Sequence, residues 1–140
     1  MSGVAVLRYL LANAGAITAK VPAARIMAGD LPLGITFPAI GITQISSIPY
    51  VPVAVNGDHH TDRVQVTVFC NGQQGNPAGD GYPGVKTIMA LLLAACPNTH
   101  GTVNGINVDS IIPDIEGPDL ADLETSLYSG SRDFLVRWSA

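Results

Sequence analysis

Several residue groups have spacings that chemistry could use. The first is GDGYPG, where Gly79, Gly81 and Gly84 spell G-x-G-x-x-G between an alternating stretch, RVQVTVFC, and a leucine-rich one, VKTIMALLLAA. A strand, three spaced glycines and a helix make the dinucleotide-binding fingerprint. That motif needs its first glycine at the end of the strand, so that the helix N-terminus faces a pyrophosphate. Here Asn71 to Ala78 intervene, and Pro83 biases Tyr82 toward an extended conformation. The acidic residue expected further on would be Asp109, which follows an Asn-Gly hairpin signal rather than a parallel crossover. The stretch also imitates a phosphate loop, but Val85 separates Gly84 from Lys86 and Thr87. One extra helical residue turns the lysine by about 100°. The spacing favours a Gly-rich strand-to-helix loop over a nucleotide cradle.

The second group is Asp58, His60 and Asp62, which alternate and so share one face of a strand. Such a set can hold a divalent metal, but no fourth ligand is in sight, and a polar strand start is the competing reading. The third is the acidic stretch DIEGPDLADLE at 114–124, with Asp114, Glu116, Asp119, Asp122 and Glu124. It lacks the spacing of an EF-hand and reads as a solvated acidic loop. His100 lies in the turn PNTHG, and no G-x-S-x-G occurs. Cys70 and Cys96 each end an apolar run, with no C-x-x-C, and read as reduced core residues. No nucleophile, base and orienting group assemble from these residues, so neither an enzymatic activity nor a cofactor is expected.

Composition narrows the class. Apolar residues make up 47% of the 140 and charged residues 13%, against about a quarter charged in ordinary soluble proteins. Little charge is available to cover a free surface, which points to surface covered by other subunits. The net charge is −4 and no basic run appears, so clustered phosphate contacts to nucleic acid are not expected. Arg8 interrupts the first apolar stretch, no basic region precedes it, and no run approaches the roughly 20 apolar residues of a membrane helix. The expectation is a soluble protein made in a cytoplasm.

The positioning elements follow from periodicity. Val4, Val6, Leu7, Leu10, Leu11, Ala14 and Ile17 fall on one face of a helix over 3–19. A short extended piece and a turn follow at 25–34, then a strand over 37–47. Residues 48–60, IPYVPVAVNGDHH, are apolar at first, yet Pro49 and Pro52 argue against a central strand. Residues 62–70 alternate, with Val64, Val66, Val68 and Cys70 on one side and Phe69 as the exception on the other. A second helix over 84–96 has a wide apolar arc, Val85, Ile88, Met89, Leu91, Leu92, Leu93 and Cys96, broken by Lys86, Thr87, Ala90 and Ala94. Asn104-Gly105 between β-formers marks a hairpin, and the last strand puts Phe134, Val136 and Trp138 on one face. The order predicts one α+β domain over 1–140, a mainly antiparallel sheet with two helices packed on it.

Taken together, these pieces resemble the small tail-completion, or tail-terminator, proteins of long-tailed bacteriophages. The resemblance runs over most of the chain: the helix VAVLRYLLANAGAI, an R-I-x-x-G-x-L-P-x-G segment from Arg25 to Gly34 leading into FPAIGI, the strand DRVQVTVF, the leucine-rich helix, GTVNGINVDSI, and the closing SLYSGSRDFLVRW. Each piece alone is weak; their order and spacing carry the likeness. NGQQGNPAGDG and IPYVPVAV depart from it, being longer or more apolar. The resemblance implies a structural protein of the virion, assembled in the host cytoplasm at the head-proximal end of the tail. It implies a ring, usually of six subunits, that caps the tail tube, ends its polymerisation and joins the capsid connector, with DNA passing through.

Ring contacts are head to tail, so two different patches must each be adhesive. The candidates are Ile48, Pro49, Tyr50, Val51, Pro52 and Val53, and the helix row Lys86, Ala90 and Ala94. Asp114, Glu116, Asp119 and Asp122 are candidates for a lumen or rim along which DNA slides without sticking. The alternatives are another connector ring such as a stopper, or a small nucleotide- or metal-binding domain. Alanine at Gly79, Gly81 and Gly84, or metal analysis, separates the last two from a ring.

Overall fold

The computed structural model describes residues 2–50, 59–72 and 81–139. The helix predicted over 3–19 is two helices, α1 (Ser2–Ala12) and α2 (Gly15–Thr18). The chain breaks at Ala14, which is extended, while the Asn13 side-chain amide donates to the Tyr9 carbonyl and closes the end of α1. Val4, Leu7 and Leu11 on one piece and Ile17 on the other are buried in the same core. The apolar period therefore survives the break and does not report it. A single 3₁₀ turn (Ala23–Arg25) leads into β1 (Ile26–Ala28).

Six further strands and one helix follow: β2 (Ala39–Tyr50), β3 (His59–Asn71), α3 (Gly81–Ala95), β4 (Gly101–Val103), β5 (Ile106–Glu116), β6 (Leu120–Asp122) and β7 (Leu127–Ser139). They make one sheet in the order β1-β2-β3-β7-β5-β4, with β6 also on β7. The class is α+β. The sheet is mixed, because β1 runs parallel to β2 while every other pair is antiparallel. The registers make its two ends different. At one end Ile26, Ile40, Val68 and Gly130 are neighbours, with Leu120 beside Ser129, so β1 and β6 are the outer strands. At the other, Tyr50, His59, Ser139 and Asn107 are neighbours, and β2 is an outer strand facing away from β4.

The helices cover one face. Ile40, Ile42, Val64, Val66, Val68, Phe134 and Val136 from the sheet meet Leu7, Leu11, Ile17, Val85, Ile88 and Leu92, all buried. Each such side chain contributes roughly 1.5–3 kcal/mol on leaving water. The strict alternation of β3 is what aligns its valines on this face.

Three boundaries differ from expectation for local reasons. Helix α3 begins at Gly81, because proline is tolerated in a first turn, where its missing N–H is not needed, and Pro83 sits there. Leu93, expected within the apolar arc, is exposed. β2 continues through Ile48, Pro49 and Tyr50, paired with Thr61, His60 and His59. Pro49 is accommodated because this half of β2 has no strand on its outer side among the described residues. The Asn104-Gly105 hairpin forms as expected, with both residues at positive φ joining β4 to β5.

Candidate functional site

Two glycines of the fingerprint, Gly81 and Gly84, support packing. Gly81 opens α3 at φ +46, and a Cβ there would lie 3.5 Å from the Gly72 carbonyl oxygen and 3.7 Å from the Tyr128 ring. Gly84 is buried on the inner side of α3, and Gly79 lies outside the described residues. The strand after α3 is β4, antiparallel to β5. The strand–helix–parallel strand unit that a dinucleotide site requires is therefore not formed there.

The alternating Asp58, His60 and Asp62 also resolve into structure. Asp58 lies outside the described residues. His60 stacks on Trp138, with ring centroids 4.4 Å apart. Asp62 is fully buried, and its carboxylate accepts from the Gly3 backbone N–H (3.0 Å), the Trp138 indole N–H (2.8 Å) and the Ser47 hydroxyl. One carboxylate thus ties the start of α1 to β2 and β7, and serves one of the orphan donors of the first helical turn. No cluster of three or more metal-binding side chains occurs among the described residues.

The acidic stretch is a ribbon, which corrects the solvated loop expected at 114–124. Its backbone is held by β7: β5 runs to Glu116, the Gly117 N–H donates to the Ser131 carbonyl, and β6 continues beside Tyr128. Of the lumen or rim candidates, Asp114 pairs with Arg63 at 2.6 Å, and Arg63 also holds Asp133. Glu116 and Asp119 share Lys86, at 3.7 and 2.7 Å. Asp122, on β6, accepts from the Glu124 backbone N–H. Tyr82 donates its hydroxyl to Asp119. The bonds from Lys86 and then Tyr82 hold the Asp119 carboxyl below its ordinary range, and the same contacts raise Lys86 and Tyr82. Two bonded carboxylates raise the Arg63 guanidinium. Lys86 is consequently occupied at the start of the helix row, while Ala90 and Ala94 are exposed beside Leu93.

Ile48, Pro49 and Tyr50 are exposed at the end of β2, Ile48 by 63%. Val51, Pro52 and Val53 lie outside the described residues. Residues 31–57 contain no charged side chain, so this outer half-strand lacks the lysines that usually guard a sheet edge. On the helix-free face, Leu31, Phe37, Phe69 and Leu127 line an open groove of about 460 Å³ that sequence reasoning did not anticipate. Its one signal was Phe69, the aromatic out of step with the alternation of β3. Cys70 and Cys96 are both buried, no disulfide joins them, and burial pushes the Cys96 thiol up to about 12.

No protein-family model matches the chain, and no curated protein does. Among solved structures, a chain from the virion of a native gene transfer agent particle is similar in fold: TM-score 0.69 at 10% identity, covering 99% of this chain and 97% of that one. At that identity the likeness establishes the fold, and it spans nearly the whole of both chains.

Proposed function

We propose that this protein is a non-enzymatic structural component of a phage-like virion, and that it acts as a ring at the head-proximal end of the tail. In this reading the ring caps the tail tube, stops its growth and receives the head connector, and DNA passes through without specific contacts. The observation that carries the proposal is the end-to-end fold likeness to a chain of a gene transfer agent virion. The charge-free outer half of β2, with Ile48 and Tyr50 exposed, supports it, because an edge without charges, guarded only by Pro49 and the irregularity at Gln44–Ser46, is a surface suited to burial by another chain. The ion pairs of the ribbon leave only Asp122 and Glu124 as unpaired acids at 114–124 among the described residues. The net negative charge remains compatible with a channel that does not hold DNA.

The test is to add the purified chain to polymerising tail-tube protein and image the products by negative stain. Termination predicts shorter tubes with a distinct cap at one end. Tubes of unchanged length with bare ends would refute the terminator role.

A further inference from the structure

Charge is segregated along this chain in a way the fold turns into geometry. Residues 1–29 contain Arg8, Lys20 and Arg25 and no acid, with Asp30 just past β1, whereas 109–124 contain six acids and no base. The first group leads into β1 and the second ends on β6, the two outer strands at the same end of the sheet. Arg8 donates to the Ile26 carbonyl, which fixes its guanidinium to β1. Lys20 and Arg25 have no anionic partner among the described residues, and the buried Nε of Arg25 has no hydrogen-bond partner there. On the opposite edge, Asp122 and Glu124 have no cation among the described residues, and they flank Leu120 and Leu123, exposed by 62% and 81%.

We propose that copies of this chain associate head to tail through these edges, the Lys20–Arg25 side of β1 in one copy against the Leu120–Glu124 segment of the next. The inference rests on the ring reading above and names its subunit contact. The two patches are different, on opposite edges of one sheet and opposite in net charge, Lys20 and Arg25 outnumbering Asp30 on one and Asp122 and Glu124 lying on the other, which is what a heterologous contact requires. The strands β1 and β6 are three residues each, so the side chains carry the contact. Leucines supply the apolar centre and the charges set orientation and rate.

The experiment is sedimentation velocity over a concentration series on the full chain, on D122K/E124K, on K20E/R25E and on their equimolar mixture. Each reversal makes both edges alike in sign and should weaken self-association at least ~10-fold. The mixture restores opposite signs at every contact, so it should recover association. This recovery also separates a surface effect from misfolding. Unchanged association in either variant, or a mixture that fails to recover, would overturn the contact while leaving the ring reading in place. A wild-type chain that stays monomeric at every concentration would overturn it too, and the ring would then be judged on tube ends.

Discussion

Asp62 and Asp119 are both carboxylates at the meeting of a helix and the sheet, and they are held in opposite ways. Asp62 is sealed from water and has no cation among the described residues; its donors there are an α1 backbone N–H, the Ser47 hydroxyl and the Trp138 indole. Asp119 sits in the open with Lys86 and Tyr82 at 2.7 and 2.8 Å. The first joins three elements where no solvent can replace it. The second ties α3 to the ribbon where water and salt compete. The difference separates the part of the molecule that fixes the fold from the part available to partners.

The largest effect should come from breaking the buried site. Asp62→Ala leaves the buried Gly3 N–H and the half-buried Trp138 indole without their acceptor, while the exposed Ser47 hydroxyl can turn to water, and should cost about 2–3 kcal/mol, read by urea unfolding. Next is Gly3→Ala. A Cβ at Gly3 would lie 2.8 Å from both Cβ and Oδ2 of Asp62, so α1 must shift, at about 1–3 kcal/mol. A thermal melt equal to wild type for either variant would remove Asp62 from its role as the joint.

At the exposed site the effects are smaller and depend on pH. The Asp119 carboxyl is lower in the folded protein, so its contribution is complete above its ordinary value and is lost as pH falls through the depressed one. Wild type should therefore exceed Asp119→Asn in melting temperature at neutral pH, and the gap should close in acid. A gap that widens in acid would contradict the assignment. Lys86→Met should have the smallest effect, a shift in melting temperature that shrinks further in high salt. A large, salt-independent loss would mean that Lys86 is structural in the way Asp62 is.

The same contrast marks what could be read from the sequence. Strand β3, the closing strand β7 and the Asn104-Gly105 turn are local signals, and they form where periodicity and turn chemistry place them. The break at Ala14 was hidden because both helices bury the same stripe. The parallel β1–β2 pair and the extension of β5 past Pro113 depend on what lies beside them, which no window of sequence contains. Of the candidate surfaces, the charge-free run leading to Tyr50 was legible as composition. The ion pairs of Arg63 and Lys86 were not, since they join residues about fifty and thirty positions apart along the chain. The acidic stretch that ends on β6 was legible in the sequence, but its opposition to the bases that precede β1 was not, since only the strand order places the two segments on opposite edges.

The most direct measurement is the mass of the purified chain by size-exclusion chromatography with light scattering over a concentration series, alone and with tail-tube protein, with the large species imaged by negative stain. The account predicts rings of several copies with a central hole, either free or on tube ends. A monomer at every concentration that leaves tube ends bare would contradict it.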